Sequence, residues 1–145
     1  MSEYINSSNQ TVAYGAPAIL LTSVPCTRGF VYHTNNFGII TLTGKVNNPC
    51  AGFTRYNVRF DSNIAIPTGG TVGEIDLGLT LNGEPIPTSI GAATPTVVDA
   101  YFYVSGGATI TVPRTVDYTI AVENLSKTEE AINLSAIRVT VDRIA

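Results

Sequence analysis

The chain has 145 residues, of which 13% are charged, and a formal net charge of −3 at neutral pH. That length suits one domain burying roughly two-thirds of its unfolded surface in a single core. The basic residues (Arg28, Lys45, Arg55, Arg59, Arg114, Lys127, Arg138 and Arg143) are scattered along the sequence, which speaks against a stripe for nucleic acid.

Charge is sparse, about half the usual quarter of a globular protein, so faces turned away from the core are expected to be covered by other subunits. Residues 1–15 are polar and rich in Ser and Asn, and read as an N-terminal arm that orders only against something else. They hold no apolar stretch of the kind a signal peptide needs. Ala16 to Leu21 is apolar but contains Pro17 and is too short to cross a bilayer, so no membrane partner is expected.

From residue 16 to 145 a period of two dominates, and it places one jelly-roll domain there. Strands are read at 18–22, 29–33 and 38–43, the last with Ile40 and Leu42 inward and Thr41 and Thr43 outward. A turn over 44–52 leads to a long strand at 53–66, where even positions from Tyr56 to Ile64 are mostly apolar and odd ones polar. Pro67-Thr68-Gly69-Gly70 ends it.

The next strand, 74–82, closes on Asn82-Gly83, a strong hairpin signal because both residues tolerate left-handed backbone. Pro85 and Pro87 make 84–90 an edge or irregular segment. A strand at 96–105 is expected to turn at Gly106-Gly107 into 108–112, then break at Pro113-Arg114 before 116–124. The last strand, 131–144, changes phase between Leu134 and Ile137, which calls for a bulge near Ala136. Lys127 to Ala131 hints at helix but is too short to stand alone. Eight to ten strands result, with no helical stripe: an all-β, two-sheet antiparallel sandwich.

Tyr101-Phe102-Tyr103 puts aromatics on both faces of one strand. Phe102 is expected in the core with Ala100 and Val104, which leaves Tyr101 and Tyr103 for a subunit interface. The alternative is a curved strand with its tyrosines at the surface. Tyr118 is grouped with them as an interface candidate, and Asn35, Asn36 and Phe37 as a ligand-facing loop. His33 is the only histidine and has neither a nucleophile elbow nor spaced zinc ligands around it. Cys26 and Cys50 either form a bridge or are two small buried hydrophobes, and a reducing compartment favours the second. Asp61, Asp76, Asp99, Asp117 and Asp142 are too dispersed for a calcium loop. No catalytic residue, cofactor or metal site is assigned.

The succession 38–42, 56–60, 75–83 and 118–124 resembles the strand order of the tumour necrosis factor and complement globular-head superfamily. The stretches 63–73, 82–87, 112–114 and 122–124 are similar, more closely, to small proteins of bacteriophages and prophages of gut Firmicutes, described as head-fibre or virion surface proteins. That resemblance implies a jelly-roll homotrimer without enzymatic activity, made in the host cytoplasm and displayed on the virion as a capsid decoration. Its partners would be its own copies and the major capsid protein.

The alternative is a receptor- or carbohydrate-binding tip of a fibre or bacterial surface protein, with host glycans as partners. A shaft is expected before such a tip, and none is read ahead of residue 15. A secreted signalling trimer is disfavoured by the polar start. One departure matters. Such relatives carry a cysteine pair after the Pro-Arg turn where this chain has Thr115 and Val116, so no redox or metal role carries over.

Overall fold

Alternation lays down the longest strand. Along Phe53–Ala65 the side chains of Thr54, Tyr56, Val58, Phe60, Ser62 and Ile64 turn inward and are buried, while Arg55, Asn57, Arg59, Asp61 and Asn63 face out. In the computed structural model, which describes residues 2–24, 30–34, 36–46 and 50–144, this strand is β6. Before it come β1 (Ser2–Asn6), β2 (Gln10–Val12), β3 (Thr22–Val24), β4 (Val31–His33) and β5 (Ile40–Thr43). After it come β7 (Ile75–Leu81), β8 (Glu84–Pro85), β9 (Gly91–Ala93), β10 (Phe102–Pro113), β11 (Asp117–Asn124) and β12 (Ile132–Arg143). A 3₁₀ turn, Pro87–Ser89, sits between β8 and β9.

The strands form two antiparallel sheets. The first runs β10-β6-β12-β1-β3, with β2 also on β12, and the second runs β4-β5-β11-β7-β8, with β9 also on β7. Their inner faces meet in one apolar core that includes Tyr4, Leu42, Tyr56, Phe60, Leu77, Leu79, Ile120, Leu134 and Val139. Burying each such side chain contributes about 1.5–3 kcal/mol over leaving it in water. Among the described residues there is no α-helix, because the period of two never gives way to one of 3.6.

Two local readings hold at the level of backbone angles. Asn82 and Gly83 have φ of 51° and 87°, the left-handed pair that a two-residue hairpin between β7 and β8 requires. Ala136, with φ 56°, sits where the register of β12 on β6 slips between Ser135 and Arg138. The extra residue returns Ile137, Val139 and Val141 to the core side.

Other expectations are corrected. Residues 2–12 are not a detached arm: β1 pairs with β12 and β3, and β2 pairs with β12, so this segment is part of the first sheet. Short polar residues obscured it, because only Tyr4, Asn6 and Val12 of that stretch are buried among the described side chains. The first strand after it is Thr22–Val24, and Pro17 and Leu20 make only isolated bridges to Glu123 and Phe37. Gly106-Gly107 is not a turn. Both glycines lie inside β10, opposite Phe60 and Arg59 of β6. Residues 127–130 form a turn rather than helix, with the Glu129 amide donating to the Ser126 carbonyl. Thr43 is buried, its hydroxyl donating to the Phe30 carbonyl at 2.8 Å.

Candidate functional site

Directly opposed residues on neighbouring strands share a face. On the outer face of the first sheet this produces rows of side chains: Tyr103, Asn63 and Ser135; then Ser105, Asp61, Arg138 and Ile5; then Gly107, Arg59, Thr140 and Glu3. Arg138 and Asp61 pair at 3.8 Å across their row. In the third row Gly107 projects nothing, and the gap opens a hollow of about 500 Å³. Arg59, Asp61, Asn57, Tyr103, Ser105 and Thr109 line it. A guanidinium, a carboxylate, an amide and hydroxyls thus converge beside the Tyr103 ring.

The rim of this hollow is the exposed edge of the sandwich, because β10 ends the first sheet. Tyr101 and Tyr103 are 44% and 66% exposed there. Phe102 was expected in the core and is instead 44% exposed. It opposes Ile64 and so points to the inner side, yet it sits at the end of an edge strand with no neighbour beyond it. Three consecutive exposed aromatics result. Tyr118 does not join them: it opposes Leu42 in the second sheet and packs, half-buried, against the core.

A second apolar cluster lies at the other sheet's edge. Tyr32, Phe37 and Ile39 are exposed around a shallow hollow of about 270 Å³, shared with His33, Thr34 and Thr41. His33 donates from Nε2 to the Phe37 carbonyl at 2.7 Å, and its ring lies 4.9 Å from that of Tyr4. That bond holds the loop to β4. Asn36 takes a φ of 70° and donates its amide to the Leu20 carbonyl, so of the loop candidates Phe37 is the one that presents a large apolar side chain. Asn35 and Cys26 lie outside the described residues, and Cys50 is exposed rather than buried.

Among the described residues no three His, Cys, Asp or Glu side chains converge. A buried carboxylate with a perturbed environment is Asp76, on β7, with its Oδ1 lacking a hydrogen-bond partner. Burial, then the nearby Glu74 charge, pushes its pKa up, and Lys127, which bridges to Glu74 at 2.9 Å, only partly opposes this. Folded Asp76 therefore binds its proton more tightly than the unfolded chain does. Stability from this group is fully present below the ordinary carboxylate pKa and is lost as pH rises through the raised folded value. Asp76→Asn is expected to raise the melting temperature at neutral pH, with the gain shrinking under mildly acidic conditions in a thermal melt series.

No family model matches the chain, and no curated protein matches it in sequence. Solved structures match it in fold. The tumour necrosis factor Eiger of S. frugiperda superposes with a TM-score of 0.68 at 12% identity, over 100% of this chain and 92% of that one. The globular domain of zebrafish complement 1qA protein superposes with a TM-score of 0.56 at 14% identity, over 96% and 94% of the two chains. The fold is the tumour necrosis factor and complement 1q jelly roll. In this jelly roll the aromatic rim and the Gly107 hollow fall on one edge and the adjoining outer face of the β10-β6-β12-β1-β3 sheet. The sequence missed the hollow because its cause, an outward glycine in mid-strand, reads locally as a turn.

Proposed function

We propose that the chain is a non-enzymatic structural module that forms a homotrimer and serves as a decoration or head-fibre protein on a phage virion, seated on the major capsid protein. The observation that carries the trimer is the unbroken aromatic rim Tyr101-Phe102-Tyr103 beside a concave sheet face. An edge that packs on a neighbour's sheet face is a heterologous contact, and such contacts close into rings when the rotation allows. Tyrosine suits this boundary: it gives large apolar area at little entropy cost and a hydroxyl that finds a partner. The charged side chains of Arg59, Asp61 and Arg138, from two adjacent rows of this face, set register between copies.

Multi-angle light scattering at micromolar concentration is expected to give three times the chain mass, and Tyr103→Glu to give the monomer with an unchanged far-ultraviolet spectrum. A monomeric wild-type protein would sink the trimer. Immunogold labelling of particles tests the virion half of the reading, and label confined to tails would move the protein off the head.

A second reading has its own observation. The hollow between Tyr32, Phe37 and Ile39 sets apolar surface beside the hydroxyls of Thr34 and Thr41, which suits the mixed face of a sugar ring. Glycan-array binding that disappears in Phe37→Ala would favour a carbohydrate-binding tip.

A further inference from the structure

Basic residues that are scattered in sequence are not scattered in space. Lys45, Arg55, Arg114 and Arg143, half of the eight lysines and arginines, gather at the end of the sandwich where β5 leaves for β6 and β10 turns into β11. Arg143 holds that end together. Its guanidinium lies 4.2 Å from the centre of the Phe30 ring, its Nε donates to the Thr54 hydroxyl at 3.1 Å, and its Nη2 reaches the Lys45 carbonyl at 3.4 Å. Arg55 lies 5.0 Å over the Phe53 ring beside it. The opposite end carries Glu74, Asp76, Asp99, Glu129 and Glu130, with Lys127 among them.

Within the basic end is a cleft of about 540 Å³. Lys45 and Val46 line it from one loop, and Arg114, Thr115 and Asp117 from the other, with Phe30 contributing an apolar wall. The loops are fixed by backbone bonds, from Thr115 to the Gly44 carbonyl and from Val116 to the Pro113 carbonyl. A β-carbon on Gly44 would collide with the backbone of Pro113 and Val116, so only glycine lets the two cationic loops approach this closely. Lys45 also leans over the Tyr32 ring at 5.6 Å, its ammonium 3.1 Å from the phenol oxygen.

From this geometry we infer that the cleft between Lys45 and Arg114 is a docking site for an acidic peptide segment of a partner protein, and that this end of the module faces the partner. The inference rests on the docking half of the function proposed above, and not on the trimer. Charge complementarity supplies the attraction: among the described lining residues two cations stand on opposed walls, with Arg143 behind them, against the one carboxylate of Asp117. Chain chemistry selects a peptide over a phosphate polymer. Phe30 with Val46 offers contact to an apolar side chain set between acidic ones, which a peptide supplies and a polyphosphate chain lacks. Multiplied by neighbouring copies on a lattice, contacts of this modest kind reach useful avidity.

The test is fluorescence anisotropy of the full chain with a labelled peptide of alternating glutamate and phenylalanine, at low and moderate salt. Saturable binding that weakens with salt is expected. The double variant Lys45→Glu, Arg114→Glu should weaken it by about tenfold or more, whereas Lys127→Glu at the far end should leave it within about twofold. No binding by the wild type, equal binding by the double variant, or an equal loss in Lys127→Glu overturns the assignment. Stronger competition by polyphosphate than by unlabelled peptide also overturns it, giving the cleft to a phosphate polymer. Light scattering on the same samples separates the two readings: a monomer that binds the peptide keeps the cleft and loses the trimer, and a trimer that does not bind does the reverse.

Discussion

Gly106→Val is expected to be among the most damaging single substitutions in the chain, lowering the free energy of unfolding by about 3 kcal/mol or more. The reason lies in how β10 crosses the turn at Pro87–Ser89. A β-carbon at position 106 would meet the Ser89 carbonyl oxygen at less than contact distance and the Phe60 ring carbons at 2.8 and 2.9 Å. Neither neighbour can step aside. Ser89 is fixed because its hydroxyl accepts from the Leu79 amide at 2.9 Å and lies 2.7 Å from the Ile86 carbonyl, and Phe60 is buried in the core. The strand or the turn must move, and with it the rim that presents Tyr101 to Tyr103. For a domain of this size such a loss shifts the melting temperature by roughly 6–12 °C. Urea denaturation checks the size, and Gly52→Ala, where a β-carbon meets nothing within 4 Å, serves as the near-neutral comparison. An unfolding midpoint for Gly106→Val equal to that of the wild type would show that the turn yields freely.

Those same glycines mark where sequence reading stops. Period-two alternation carried the inward set of β6, the β7–β8 hairpin and even the bulge at Ala136, because each is a local consequence of which residues must face the core. Gly106-Gly107 carries no such local mark. Between two apolar strands a glycine pair looks the same whether it reverses the chain or lets another backbone approach, and only the 3₁₀ turn lying against it decides. The aromatic rim was legible in part. Tyr101 and Tyr103 are exposed as their alternation implied, but Phe102 is too, since alternation assigns a face and cannot say whether an edge strand has a neighbour to cover it. Clustering of Lys45, Arg55, Arg114 and Arg143 is invisible in one dimension. It exists because β5, β6, β10 and β12 all start or end at the same end of the sandwich.

Asn124→Ala is expected to cost about 3 kcal/mol, through buried hydrogen bonds rather than lost apolar area. In sequence, Asn124-Leu125-Ser126 looks like a glycosylation triplet, yet the Asn124 side chain is fully buried. Its Nδ2 donates to the carbonyls of Val12 and Glu130, each at 2.9 Å, and its Oδ1 accepts from the Ser126 amide at 3.0 Å. One side chain thereby ties β2, the end of β11 and the turn before β12, and is part of why the N-terminal residues belong to the sheet. Truncation to alanine leaves three backbone groups short of a partner in a site closed to water, each worth about 1–3 kcal/mol if unrepaired. Asn124→Asp separates this account from simple loss of volume. It keeps the shape and the acceptor for Ser126 but turns a carboxylate towards two carbonyl oxygens, so the aspartate is driven to hold a proton in the folded state. Its deficit should be large at neutral pH and smaller in acid, where the protonated carboxyl donates to one of the two carbonyls. Hydrogen exchange should then show faster opening of the Val12 and 126–131 amides in both variants, and a pH-independent deficit in Asn124→Asp would place the cost in packing instead.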